Sequence, residues 1–145
     1  MENSLLEQLY PLHPKLVHFP IALFVSAMGI QMLGLFFKKD SWCKGAWLMF
    51  VLAVLSLPIA IFSGILEASR LHLHHPVLNE HRMYAFWATG TAWIALPLLW
   101  LMRSKNVKFF QAIFLIILIS LSVLIGLTAR EGGEMVWEYG VGVNR

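Results

Sequence analysis

VKFFQAIFLIILISLSVLIGLTA, residues 107–129, decides what kind of fold this chain has. No charged side chain lies between Lys108 and Arg130. A helix needs about 20 residues to cross a hydrocarbon core of about 30 Å, and this run supplies them. Backbone polar groups in lipid must be satisfied within their own segment, so an unbroken apolar run predicts a helix rather than a barrel strand. Three more such runs lie upstream, at about 19–37, 45–66 and 82–102. Composition agrees: of 145 residues 59% are hydrophobic and 13% charged, where a soluble domain carries about a quarter charged residues. The expected fold is all-α, a four-helix transmembrane bundle forming a single integral membrane domain over residues 1–145.

The connections set the order of packing. Segments 38–44 and 103–106 are short, so the first two helices, and the last two, should be antiparallel neighbours. Pro58 and Pro97 fall inside spans and should kink them. Ala22 and Ser26, Ala60 and Gly64, and Ser122 and Gly126 recur at four-residue spacing, which lets helix backbones approach closely in lipid. Before the first span, Ser4 and Glu7 form a capping box and Leu5, Leu6 and Leu9 share a face, predicting a short interfacial helix ended by Pro11. After the last span, Gly132 and Gly133 should stop the helix, leaving a glycine-rich tail held at the surface by Met135, Val136, Trp137 and Tyr139. The tryptophans sit mostly near span ends, as belt residues do.

Several functions are excluded. Cys43 is the only cysteine, so there is no internal disulfide, no thiolate cluster and no CxxCH for covalent haem attachment. The net charge of +3 is spread over short loops and offers no nucleic-acid-binding face. The N-terminus lacks the basic, apolar and cleavable regions of a signal peptide, so the first span is expected to stay in the mature protein. No polar file runs through the spans, which argues against a channel or pump. No nucleophile–base pair or phosphate loop is evident.

Orientation follows from the basic residues. Lys38, Lys39, Lys44, Arg103, Lys105 and Lys108 lie opposite the termini, against Lys15, Arg70, Arg82, Arg130 and Arg145 on the other side, six to five. The two compact basic loops place both termini outside the cytoplasm, with the chain spanning the inner or plasma membrane.

All six histidines then share that outer rim. His13 and His18 precede the first span; His72, His74, His75 and His81 fill the gap before the third. Histidine is the commonest metal ligand and titrates near neutrality, so the rim is a binding or redox candidate. Pro20 suits the first turn of a helix, which would hold His18 about one turn inside the headgroups. His13 reads as a helix cap or a headgroup contact. Pro76 discourages helix at His75, so HLHH at 72–75 reads as an exposed loop, whereas His81 is fixed on the third helix.

Glu67 ends the second span, where both the macrodipole and the hydrocarbon disfavour a carboxylate. Arg70, three residues on, or Arg82, Arg130 or a histidine from another helix must compensate it. Gly64, one turn earlier, leaves room for a partner helix or a flat ligand. Arg130 either snorkels to the interface or pairs with Glu67 or a ligand carboxylate. His18, Glu67, His81 and Arg130, one from each helix, with Gly64 beside them, make up the candidate site.

LHPKLVHFPIAL at residues 12–23, SGILEASR at 63–70, His81 at the start of the third helix and the tail GGEMVWEYGVGV at 132–143 together resemble the small four-helix membrane proteins catalogued as domain of unknown function 2231. The resemblance covers nearly the whole chain; Glu67 stands where the family has Asp more often. It implies that His18, Glu67 and His81 are the site residues. The family also occurs beside cytochrome-like domains, which implies membrane redox chemistry.

Two readings of the site follow. In the first, b-type haem is held by His18 and His81, with Arg130 at a propionate, Gly64 admitting the porphyrin, and a cytochrome or other redox protein as partner besides the lipid bilayer. In the second, zinc, iron or copper is held by His18, His81 and Glu67 without redox chemistry. A structural or partner-docking subunit is the third possibility.

Overall fold

The computed structural model describes residues 12–72, 75–102 and 107–141. Among these are four helices and no strand: α1 (Leu12–Phe36), α2 (Asp40–Arg70), α3 (Pro76–Met102) and α4 (Val107–Trp137). All four are long and apolar enough to cross a membrane. At 1.5 Å per residue they run roughly 37–47 Å, so each overhangs a core of about 30 Å. The expected interfacial helix at 4–10 lies outside the described residues.

The helix ends differ from those expected. α1 starts at Leu12, so Pro14 occupies the first turn and Pro20 lies buried in the interior, where its missing N–H leaves the Leu16 carbonyl without its usual partner. α4 passes straight through Gly132 and Gly133 and ends at Trp137. The terminator is Gly140, at φ 65°, followed by a Val141 N–H bond to the Met135 carbonyl of 2.9 Å. Glycine inside a helix costs only about 1 kcal/mol, and the packing of α4 outweighs it. At α3 the expectation holds: His75 is non-helical, Pro76 opens the helix, and His75 Nδ1 accepts the Val77 N–H at 3.3 Å.

α1 packs chiefly on α2 and α3 on α4, as the short connections require; α1 and α4 also pack together, and α2 and α3 meet over a smaller area. The molecule is thus two helical hairpins side by side. The turn between α1 and α2 is tight because Gly34 lies against Cys43, where an added Cβ would come within 2.7 Å of Sγ. Phe24, Phe50, Phe114, Leu99, Leu118 and Leu121 fill the core, with Ala27, Ala46, Ala53 and Ala92 allowing close approach. Large apolar side chains such as Phe36, Leu48, Phe62 and Ile94 point outward, as a lipid-facing surface permits. Of the small-residue pairs, only Ala60 and Gly64 face inward together; Ala22, Ser26 and Gly126 are exposed.

One buried polar tie was not anticipated. Gln31, fully buried on α1, donates from Nε2 to Oε1 of Gln111 on α4. In hydrocarbon such a bond joins helices that have no hydrophobic drive to associate.

Candidate functional site

The N-terminal ends of α1 and α3 and the C-terminal ends of α2 and α4 surround a cavity of about 450 Å³. His13, His18, Glu67, His81 and Arg82 are its polar lining. Beneath it lies a smaller, apolar cavity of about 80 Å³, walled by residues such as Val17, Phe24, Leu57 and Ile125. His13 and His81 line both, so the two rings stand at the boundary between mouth and interior.

The imidazole that meets His81 is that of His13. Their ring centroids are 6.1 Å apart and the planes are nearly perpendicular, at 87°. Each ring is held by the other helix of its own hairpin. His13 Nδ1 lies 3.0 Å from Ser63 Oγ on α2. With the Ser63 hydroxyl donating to the Ala60 carbonyl at 2.8 Å, its oxygen is left to accept from His13, and Nδ1 carries the hydrogen in that arrangement. His81 Nδ1 lies 2.9 Å from the Thr128 carbonyl on α4; a carbonyl only accepts, so this Nδ1 is protonated too. Both neutral rings therefore present a bare Nε2 lone pair. An anchored Nδ1–H is the outer-shell arrangement of metal-binding histidines, because it fixes tautomer and orientation together.

Glycines make room for both rings. A Cβ on Gly64 would lie 3.0 Å from Cε1 of His13, and one on Gly132 would lie 3.4 Å from Cε1 of His81. Each hairpin also buries an acid near its histidine, Glu67 acting on His13 and Glu131 on His81. The hairpins thus offer the same set twice: an imidazole, an acceptor for Nδ1–H, a glycine and a buried carboxylate. No sequence repeat underlies this correspondence.

Glu67 has two local duties. Oε1 accepts from Arg70 Nη2 at 2.8 Å, so the same-helix partner is the one that compensates it. Oε2 accepts the Leu12 backbone N–H at 3.3 Å, which places a carboxylate on the N-terminus of α1.

His18 is exposed at the cavity mouth and donates from Nδ1 to the carbonyl of Pro14, one turn back on its own helix. Arg130 is exposed and does not line the cavity. His18, Gly64, Glu67 and His81 all line the cavity, His18 at its mouth, and sequence reasoning missed His13, Ser63, Thr128, Gly132 and Glu131. The HxxxxH spacing of His13 and His18 contained the relevant signal: residues five apart on a helix point roughly 140° apart, so one of them at most faces inward. Among the described residues no three His, Cys, Asp or Glu side chains lie close enough to hold one metal ion.

A four-helix, multi-pass membrane protein with a histidine-lined cavity at one end of the bundle is the class that this fold and site define. The chain belongs to the family of predicted membrane proteins catalogued as domain of unknown function 2231, whose model matches residues 9–145. No curated protein and no solved structure matches it.

Proposed function

We propose that this protein binds b-type haem between its two hairpins, where His13 and His81 would hold the iron, and that it serves electron transfer at the membrane. The observation that carries the reading is the pair itself. Two imidazoles from opposite hairpins meet with Nδ1–H anchored and Nε2 free, and no third ligand-type side chain joins them among the described residues. A bare zinc ion asks the protein for three or four ligands, whereas haem iron needs only axial ones. The donor set fits haem better than the metal-ion reading of His18, His81 and Glu67.

The surroundings fit as well. A cavity of about 450 Å³ is of the size that holds a small organic cofactor. Gly64 and Gly132 leave space beside the rings, and the apolar walls below exclude water. Bound there, haem would supply reversible one-electron chemistry. The chain's own part is to fix both ring tautomers through Ser63 and Thr128 and to keep the site dry. The compact basic loops favour an extracytoplasmic histidine end in the inner or plasma membrane, where a cytochrome or other redox protein would be its partner.

The absorbance spectrum of detergent-purified protein, expressed with ample haem, tests the reading. A Soret band is expected in the wild type and in His18→Ala, and it should be lost or strongly shifted in His13→Ala and in His81→Ala. A wild type that stays colourless after haem is added overturns it; metal bound without colour would favour the ion, and neither signal a structural subunit.

A further inference from the structure

The site is polarised along its depth. Its inner end is apolar, walled by Val17, Phe24, Leu57 and Ile125. Its mouth carries one guanidinium: Arg82 is the only Lys or Arg lining the outer cavity among the described residues. Arg82 follows His81 directly in sequence and its charge acts on that ring. The other candidate arginines are elsewhere, Arg70 on the Glu67 carboxylate and Arg130 outside the cavity. Arginine presents a rigid fork of donors matched to carboxylate.

We infer that the site selects a flat ligand with carboxylates on one edge, and that Arg82 binds that edge at the mouth while the apolar edge enters first. This rests on the haem reading and goes beyond it: it names the residue that sets which way round the ligand sits and which chemical class is accepted. The fork can reach an anionic edge only on the mouth side, so a ligand inserted the other way would bury its carboxylates against Phe24 and Leu57. An unpaired charge there is too costly to hold.

The test compares haem with its dimethyl ester, which has the same metal and ring but no charge at the edge. Both are titrated into full-length wild type, Arg82→Gln, Arg82→Lys and His81→Ala in a neutral detergent. Wild type should bind the diacid at least about tenfold more tightly than the ester, the size of a charge-assisted hydrogen bond. Arg82→Gln should bind both at the level of the ester, Arg82→Lys should keep part of the preference, and His81→Ala should bind neither well. Arg82 is exposed, so the variants should melt with the wild type. A preference that survives in Arg82→Gln overturns the inference alone. A wild type that binds neither compound overturns the haem reading and this inference with it.

Discussion

The side chain of Glu67, near the end of α2, accepts the backbone N–H of Leu12 at 3.3 Å and so caps the start of α1 from 55 positions away. The same carboxylate is held by Arg70 Nη2 at 2.8 Å. His13, the residue after Leu12, lines the cavity.

Removing the cap should therefore cost stability and position. Glu67→Ala is expected to destabilise the folded protein by about 1–2 kcal/mol, the usual range for losing a helix cap together with a charged partner. Glu67→Gln keeps an acceptor for Leu12 and should lose less than half as much. Denaturant titration in detergent compares them; equal losses in the two variants would remove the capping role.

The two Nδ1 anchors differ in kind, and their variants should differ accordingly. Ser63→Ala removes the side-chain partner of His13, leaving the Ala60 backbone beside that ring, and should weaken ligand binding by about 10–100-fold. Thr128→Ala leaves the backbone carbonyl that holds His81, and should leave binding unchanged. Haem titrations of the two variants check this, and similar effects in both would refute the tautomer assignment.

The glycines beside the rings make a graded pair. Gly64→Ala puts a methyl group 3.0 Å from the His13 ring, tighter than ordinary contact, whereas at Gly132 the same change meets His81 at 3.4 Å. The first should displace its imidazole and lower affinity; the second should be tolerated. Binding curves for the two proteins decide the order.

Gln31 and Gln111 should couple. Each single change to Leu strands the other buried amide, while the double change replaces both with apolar groups. A double-mutant cycle is expected to give about 0.6 kcal/mol of favourable coupling, up to about 1.7, as for other bonds between membrane helices. Additive losses would mean that the pair contributes nothing.

Much of this was legible in the sequence, for a physical reason. Hydrocarbon thickness sets span length and forbids unpaired backbone, so four apolar runs suffice to fix four helices and their antiparallel order. What lies beyond the runs obeys no such rule. α1 runs upstream of the apolar stretch to Leu12, so Pro20 looked like a first-turn residue and His18 like the inward histidine. Gly132 and Gly133 looked like a stop and Gly140 is one, because the same residue type ends a helix only where packing no longer carries it on. The rotation of each helix, which decides between His13 and His18, is set by core side chains such as Phe24 and Phe50 and by the Gln31–Gln111 tie. None of these bears on the histidines through local sequence.

If His13 and His81 share one haem, replacing either ring should open one coordination position on the iron. The most direct measurement is the absorbance spectrum of His13→Gly protein reconstituted with haem, recorded without and then with added imidazole. The account expects a five-coordinate, high-spin spectrum that free imidazole, entering the space vacated beside Gly64, converts to that of the wild type, with His18→Gly indistinguishable from wild type throughout. A His13→Gly protein that already shows the wild-type spectrum, with the change appearing in His18→Gly instead, would contradict it.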